Sequence, residues 1–329
     1  MHENALMKLA ELYDAGLFSP AFYKRKLPGR EMLLDYERFV TLPFTYKQEL
    51  RDTSAFERTV CRPEDVYGIF SSSGTTGDRT FYIFSKKDKL VHEEFIKAFY
   101  TELEVMPWDL GGVMIPVDTG VIGHTMMWQF TTMGAGYINC PEPSPENIIR
   151  LISELPITIV ASRPTVLSAL AQREDWTRAA QESSVKKLLV GGGLLSPERR
   201  SLLEYVWGAQ CYNMFGMSEV FGPIAGECKY KDGQHYPDQY LLIEIIDPET
   251  KLPVVPGRKG VAVYTTLWDK GFPLIRYWTG DIMRLDPTPC RCKSAMPRLW
   301  VYGRLADCTM RDGDYVFPEE QDFCPKECL

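Results

Sequence analysis

The segment Ser71–Gly77, SSSGTTG, concentrates hydroxyl side chains and glycines in a single turn. Small residues let the backbone bend tightly, so that N–H and O–H donors can point toward the oxygens of a phosphate group. The strand-like runs YGIF (67–70) and TFYIF (80–84) flank this turn. The segment lacks the GxxxxGK[ST] spacing of a Walker A loop, and taken alone it is more typical of a polar hairpin turn.

Three cysteines and a histidine form a second group that could do chemistry. Six residues separate Cys228 from His235 and one residue separates Cys290 from Cys292, with glycine or proline near each pair. Three thiolates and an imidazole are typical ligands of tetrahedral zinc, and a shell closed by four protein ligands predicts a structural ion. The C-x-C spacing is tighter than in most zinc sites, so unrelated thiols are the alternative.

Strand-like and helical segments alternate between about residue 66 and residue 210. The apolar run KLLVGGG (187–193), followed by a helical stretch over 196–206, is one example. Such alternation predicts the α/β class, with helices covering a parallel sheet. After Cys211, turn-separated strands predict a smaller β-rich subdomain. We therefore predict three regions: an N-terminal helical segment with the α/β subdomain over 1–210, the β-rich subdomain over 211–302, and a hinge and tail over 303–329.

Composition and charge narrow the functional class. The 329 residues are 45% hydrophobic and 25% charged, which is the balance of a globular protein. The net charge of −7 argues against a nucleic-acid partner, and no apolar run reaches the roughly 18 residues of a membrane helix. The acidic N-terminal segment does not resemble a secretory signal, so we expect a cytoplasmic protein. Of the nine cysteines, Cys61, Cys140 and Cys211 are predicted to be small hydrophobic residues of the interior.

Four further segments follow the SSSGTTG loop in a fixed order: GGGLLSPERR (191–200), YNMFGMSE (212–219), RYWTGD (276–281) and VYGR (301–304). With the loop, they resemble the ordered motifs of the adenylate-forming superfamily. LPFTYKQELRD (42–52), IIDPET (245–250) and CRC (290–292) are most similar to the phenylacetate–coenzyme A ligase branch, and the resemblance spans roughly 15–318. Related ligases often carry a C-x-C element at this place, which favours the zinc interpretation.

The resemblance implies a fold and an activity. The fold would be the N-terminal large domain of an adenylate-forming enzyme, with helix-covered sheets and a smaller β-rich subdomain. ATP and Mg²⁺ would activate a carboxylic acid as an acyl-adenylate with release of pyrophosphate. The acyl group would then pass to a thiol, either of coenzyme A or of a carrier protein.

The resemblance also assigns roles to individual residues. Glu219 would bind Mg²⁺, Ser218 would lie beside the α-phosphate, and Asp281 would accept hydrogen bonds from the ribose hydroxyls. Thr75 and Thr76, with Glu219 and Ser218, form the predicted catalytic set. The other predicted nucleotide-binding residues are Ser72, Ser73, Gly74, Gly77 and Thr80 in or beside the loop, Gly192, Gly193, Tyr212, Asn213, Phe215, Gly216 and Arg304. Phe215 and the backbone that precedes it would lie against the adenine. Arg79, where the family has proline, is either a phosphate contact or a solvated charge.

The acid would bind near IPVDTGVIGH (115–124), where Asp118, Thr119 and His124 are the candidate pocket residues. Asp118 falls where amino-acid-activating domains have an aspartate that pairs the substrate ammonium group. It also precedes a helical run, and aspartate is a favoured N-cap residue, so we slightly favour the cap. The substrate is therefore predicted to be an aryl acid or an acid with an amino group.

The sequence departs from the family near its C-terminal end. Ala306 stands where the family has a hinge aspartate or lysine, and the next family segment survives only in distorted form as RDGDYVFP (311–318). We expect the C-terminal lid domain, with its catalytic lysine, to be absent. Three alternatives follow: a partner protein supplies the lid, the chain adenylates and transfers without a rotating lid, or it is a non-catalytic subunit.

Overall fold

A computed structural model describes residues 2–72, 79–115, 120–140, 144–311 and 314–317. The chain forms two compact units. The first unit comprises Met1–His92 and Tyr236–Phe317, and the second comprises Glu93–His235. In the described ranges, none of the helices combines the length and apolar character that crossing a membrane would require. The predicted boundary at 210/211 stays a prediction.

The N-terminal part of the first unit consists of short helices followed by a β-hairpin. Its elements are α1 (His2–Asp14), α2 (Ala21–Lys24), α3 (Tyr36–Phe39), α4 (Lys47–Asp52), α5 (Ala55–Arg58), β1 (Val66–Ser71) and β2 (Phe81–Ser85). The helix α6 (Lys86–Glu102) follows and contains the boundary between the units. The two strands pair antiparallel, with Ser71 opposite Phe81, so the serine- and glycine-rich segment joins the ends of a hairpin.

The second unit alternates strands and helices around one sheet. Its elements are β3 (Leu110–Met114), α7 (Val121–Thr132), β4 (Gly136–Asn139), α8 (Pro145–Glu154), β5 (Ile159–Ser162), α9 (Pro164–Leu170), α10 (Glu174–Glu182), β6 (Lys187–Gly191), α11 (Pro197–Trp207), β7 (Gln210–Met217), β8 (Gly222–Glu227) and β9 (Gln234–His235). The strand order is β9-β8-β7-β6-β5-β3-β4. The pairings from β7 to β4 are parallel, and those of β8 are antiparallel.

The local sequence explains where the helices of this unit begin. α8 and α11 each start with serine followed by proline, and the hydroxyls of Ser144 and Ser196 accept hydrogen bonds from backbone N–H groups of the first turn. Serine is a favoured N-cap residue, and proline at the first helical position lacks only an N–H that would stay unpaired. The buried indole rings of Trp176 in α10 and Trp207 in α11 pack edge to face, with 5.2 Å between their centroids. The predicted α/β class is confirmed.

The remainder of the first unit is β-rich. Its strands are β10 (Leu241–Ile246), β11 (Gly260–Thr266), β12 (Tyr277–Asp286), β13 (Arg298–Arg304), β14 (Thr309–Arg311) and β15 (Asp314–Val316). The first four lie in sequence order and pair antiparallel, and the last two form a separate hairpin. The turn-separated strand signals after Cys211 thus correspond to antiparallel pairing, which short turns between strands permit.

A buried ion pair anchors the N-terminal segment to these strands. The Arg276 guanidinium contacts both carboxylate oxygens of Glu244, at 3.0 and 3.1 Å, and also donates to the carbonyl oxygens of Val40 and Leu42. The backbone of Thr45 adds two hydrogen bonds to this anchor. Its N–H donates to the Arg276 carbonyl oxygen, and its own carbonyl oxygen accepts from the Trp278 N–H. Arg276 directly precedes β12, so this anchor holds the strand that carries Asp281.

Replacing Glu244 by glutamine is expected to lower the free energy of unfolding by about 3–5 kcal/mol, because the Arg276 guanidinium would stay buried without its counter-charge. Urea denaturation followed by circular dichroism measures the change. Glu154→Gln is the matched control: it breaks an ion pair with Arg150 in which both side chains are exposed, and should leave the unfolding midpoint unchanged. A change in Glu244→Gln as small as in this control would contradict the anchoring role.

Candidate active site

The described base of the serine- and glycine-rich loop is closed by hydrogen bonds between its two ends. The Ser72 N–H donates to the Thr80 carbonyl oxygen at 3.0 Å, and the Thr80 N–H donates to the Ser72 hydroxyl at 3.2 Å. Both side chains are buried. The Thr80 hydroxyl has no hydrogen-bond partner among the described residues, so it is a donor that a phosphate oxygen or a water molecule could satisfy.

Several predicted residues of this loop lie outside the described residues: Ser73, Gly74, Thr75, Thr76 and Gly77. Arg79 follows them, and its guanidinium donates to the Ser71 hydroxyl at 3.3 Å. This contact places Arg79 at the base of the loop, beside the end of β1. Both interpretations of Arg79, phosphate contact and solvated charge, stay open.

In the second unit, the glycine turn after β6 lies beside the start of the β7 motif. Gly191 pairs with Met214, and a Cβ on Gly191 would lie 2.8 Å from the Met214 carbonyl oxygen. Gly192 has a φ of +75°, a left-handed conformation that favours glycine, and both Gly192 and Gly193 are exposed. The parallel pairing therefore brings the predicted residues of 191–193 and 212–216 to neighbouring strands.

The motif YNMFGMSE continues from β7 into a tight turn that holds Glu219. Ser218–Val220 form a single 3-10 turn, and the Glu219 side chain is only 3% exposed. A Cβ on Gly216 would lie 2.2 Å from the Gly222 carbonyl oxygen, so only glycine permits the close approach of β7 and β8 here. A carboxylate is a hard oxygen ligand of the kind that Mg²⁺ prefers, so this turn presents a group suited to that ion.

The helix α7, which carries His124, packs against this turn. A Cβ on Gly222 would meet the Thr125 side chain at 2.7 Å, and the rings of Trp128 and Phe221 lie 5.8 Å apart. The fold of the second unit thus brings the helix of the predicted pocket residue His124 to the Glu219 turn. Asp118 and Thr119 lie outside the described residues, so the N-cap and ammonium-binding interpretations of Asp118 stay open.

In the first unit, the pairing of β12 with β13 places Asp281 opposite Arg304. The Arg304 guanidinium contacts the Asp281 carboxylate at 3.0 Å and the Thr279 carbonyl oxygen at 2.9 Å. Asp281 is buried, whereas the Arg304 side chain is 56% exposed. Gly280, which directly precedes Asp281, has a φ of +76°, a left-handed conformation that favours glycine. A carboxylate held in this way could accept hydrogen bonds from ribose hydroxyls.

Three of the four predicted zinc ligands, Cys228, Cys290 and Cys292, lie in two turns of the same kind, whereas His235 lies in β9. In the second unit, the Lys231 N–H donates to the Cys228 carbonyl oxygen at 2.9 Å; in the first unit, Lys293 donates to Cys290 at 2.9 Å. Both lysines have positive φ, 53° and 65°, which reverses the chain within three residues of the cysteine. Such tight turns are the geometry by which short cysteine motifs present sulfur atoms to a metal.

Each turn supplies a further detail that suits a metal ligand. The Ser294 N–H donates to the Cys292 sulfur at 3.4 Å, a contact that stabilises a thiolate. His235 pairs with Gly226 across β8 and β9, and the next residue, Tyr236, donates its N–H to the Pro297 carbonyl oxygen at 3.2 Å. No described cysteine forms a disulfide.

The other described cysteines differ from these. Cys140 and Cys211 are buried, as predicted, and burial raises the pKa of the Cys211 thiol to about 12. Cys61 is only half-buried. A thiol with a raised pKa is protonated at neutral pH and is therefore a poor nucleophile and a poor metal ligand.

Sequence analysis did not single out three charged residues that contact β7: Arg200, Glu204 and Glu227. Their side chains hydrogen-bond to the backbone of Cys211 and Asn213. The only sequence signal was position, because Arg200 ends the GGGLLSPERR segment and Glu227 directly precedes Cys228. Burial raises the pKa of Glu227, although the Arg200 guanidinium beside it opposes this shift.

Comparison with known proteins agrees with this arrangement. The model of the family described as AMP-binding enzyme matches residues 19–265. The chain belongs to this family. The predicted membership of the adenylate-forming superfamily, near the phenylacetate–coenzyme A ligase branch, is confirmed.

Among curated relatives, the phenylacetate-coenzyme A ligase of Thermus thermophilus is 28% identical over 291 residues, which cover 85% of this AMP-binding chain and 64% of the relative. The enzyme of the same name from Escherichia coli K12 is 27% identical over 292 residues, covering 88% and 66%. The chain therefore spans about two thirds of the length of these relatives.

Solved structures show the same fold at lower sequence identity. A 2-hydroxyisobutyryl-CoA ligase in complex with 2-HIB-AMP and CoA superposes with a TM-score of 0.81 at 18% identity, over 95% of this chain and 77% of that one. An anthranilate CoA ligase in complex with anthranoyl-AMP superposes with a TM-score of 0.58 at 18% identity, over 78% and 50%. These matches confirm the predicted fold class.

Proposed function

We propose that the chain activates a carboxylic acid by attack of its carboxylate on the α-phosphorus of ATP. The products are an acyl-adenylate and pyrophosphate, and the acyl group then passes to the thiol of coenzyme A or of a carrier protein. The buried Glu219, held in the FGMSE turn between β7 and β8, is the observation that carries this proposal. Membership of the AMP-binding enzyme family supports it.

Catalysis of this reaction depends mainly on stabilising negative charge and on positioning the two reactants. The transition state spreads negative charge over the phosphoryl oxygens, so stabilising this charge and aligning the carboxylate account for most of the catalysis. In this proposal, Ser72 and Thr80 bind the terminal phosphates from the base of the loop and Ser218 lies beside the α-phosphate. Asp281, oriented by Arg304, binds the ribose.

Glu219 would hold Mg²⁺ together with the phosphate oxygens of ATP. A carboxylate is a hard oxygen ligand of the kind that Mg²⁺ prefers, and Glu219 is held in the 3-10 turn between β7 and β8. The ion would neutralise part of the negative charge that develops on the phosphoryl oxygens. In this proposal, Glu219 would be the protein ligand that holds the ion at the nucleotide site.

We also assign the zinc site to Cys228, His235, Cys290 and Cys292. Three thiolates and one imidazole form a donor set that tetrahedral zinc prefers. The matching turns and the N–H contact to Cys292 support this assignment. Because all four ligands come from the protein, the ion would have a structural role.

The substrate is proposed to be an aryl acid or an acid with an amino group. The curated relatives are named for phenylacetate, an aryl acid, and one structural neighbour binds anthranoyl-AMP, whose acyl group carries both features. The apolar side of α7, with Trp128 against Phe221, could provide part of an aryl pocket. An ammonium group would instead need an anionic partner, for which Asp118 is the candidate.

ATP–pyrophosphate exchange tests the proposal directly. The purified chain is incubated with labelled pyrophosphate, ATP, Mg²⁺ and a panel of aryl, aliphatic and amino acids, with a reaction lacking acid as the control. We expect exchange with at least one acid, and the successful acid identifies the substrate class. ATP binding without exchange for any acid would favour the alternative of a subunit that needs a lid from a partner. Failure to bind ATP would contradict the proposal.

A further inference from the structure

On the side of β7 that faces β8, the backbone groups of the first residues form hydrogen bonds with side chains and not with a neighbouring strand. The Cys211 N–H donates to the Glu204 carboxylate at 2.9 Å, and the Cys211 carbonyl oxygen accepts from the Arg200 guanidinium at 2.7 Å. The Asn213 N–H donates to the Glu227 carboxylate at 2.8 Å. Three backbone groups of a three-residue stretch thus depend on three charged side chains.

The sheet topology explains this arrangement. The described pairing of β7 with β8 runs from Met214 opposite Gly226 to Met217 opposite Gly222, and β8 ends at Glu227. Cys211 and Asn213 lie beyond the end of that ladder, where unpaired backbone groups would cost free energy if buried. Arg200 and Glu204 lie four residues apart on α11, so their side chains project from the same face of the helix.

The charges of this cluster balance. Arg200 binds Glu227 through two parallel contacts of 2.7 and 2.9 Å, and these side chains are 19% and 7% exposed. Lys231 makes a short contact with Glu204, and its Nζ atom lies 5.1 Å from the centre of the Tyr212 ring. Two cations therefore face two carboxylates around Tyr212, and a paired geometry of this kind is rigid as well as specific.

We propose that Arg200, Glu204 and Glu227 are positioning residues for the nucleotide. They fix the backbone of Cys211–Asn213, from which Tyr212 and Asn213 meet the adenine. This inference rests on the proposed function, because it assumes that β7 presents the adenine-binding residues. In this inference, the three charged residues act through their hydrogen bonds to the backbone of β7 and not through contact with the nucleotide.

The test compares two ligands that use different parts of the site. Isothermal titration calorimetry measures the dissociation constants of ATP and of inorganic triphosphate for the wild-type chain and for Glu227→Ala. We expect Glu227→Ala to weaken ATP binding about tenfold, the usual effect of losing one charge-assisted hydrogen bond. The dissociation constant of triphosphate should be unchanged, because triphosphate has no adenine to contact β7.

Conservative and control variants separate positioning from stability. Glu227→Gln keeps an oxygen acceptor for the Asn213 N–H and should recover most of the ATP affinity. Glu204→Ala, which removes the acceptor of the Cys211 N–H, gives a second disruptive variant should Glu227→Ala fail to fold. Glu146→Ala breaks an exposed ion pair with Arg173 in the same unit and should leave both constants unchanged. Hydrogen exchange of the peptide over 210–217 should be faster in Glu227→Ala than in this control.

Two results would overturn the inference. If hydrogen exchange over 210–217 accelerates in Glu227→Ala while ATP affinity stays within about twofold of wild type, the cluster supports the strand but not the nucleotide. If ATP and triphosphate weaken equally, the effect is not specific to adenine. A wild-type chain that binds no ATP would instead overturn the proposed function itself, and this inference with it.

Discussion

Glu219→Ala is expected to lower the rate of ATP–pyrophosphate exchange by about 100- to 1,000-fold, the effect of removing one preorganised charge-stabilising group from an active site. The reason is positional. Glu219 lies in the turn after β7, 3% exposed, where its carboxylate would bring Mg²⁺ to the phosphates. The exchange rate is measured at saturating ATP, Mg²⁺ and the acid identified by the panel.

The control for Glu219 is Glu182→Ala, which removes an exposed carboxylate at the end of α10 in the same unit. It should exchange at the wild-type rate. Circular dichroism must show that Glu219→Ala is folded, and Glu219→Gln, of the same size, repeats the test if it is not. Exchange by a folded Glu219 variant at the wild-type rate would contradict the assignment of the metal-binding role.

Loss of the zinc ligands is expected to have the largest effect on stability. Protein purified without added zinc should contain about one equivalent, because a closed shell of thiolates and imidazole binds zinc tightly. Cys228→Ser and Cys290→Ser, one from each turn, should each lose the metal and lower the melting temperature by roughly 10 °C. Elemental analysis by mass spectrometry and differential scanning calorimetry measure the two quantities.

Cys61→Ser is the matched control for these cysteine variants, since Cys61 lies outside both turns and is only half-buried. It should retain the zinc and the wild-type melting temperature. A wild-type protein with far less than one equivalent, or a Cys228→Ser variant that keeps its zinc, would argue that the thiols are unrelated. Chelation of the wild-type protein should reproduce the melting temperature of Cys228→Ser.

The local motifs were readable from the sequence because each depends on residues close together in the chain. Gly216 is required by the Gly222 oxygen only six residues away, and the Glu219 turn is contained in FGMSE. The alternation of strands and helices likewise reflects local periodicity, and it correctly predicted the α/β class. The order of such motifs was enough to place the chain in its family.

Pairing between distant residues was decided only by the tertiary structure. Arg276 contacts Glu244 because β12 and β10 belong to one sheet. Glu227 contacts Asn213 because β8 ends at Glu227, directly after the last residue that pairs with β7. Neither contact leaves a pattern in the sequence, because the two partners lie 32 residues apart in the first pair and 14 residues apart in the second. Strand order and the point where a ladder ends determine which charged groups become buried partners, and these are properties of the folded sheet.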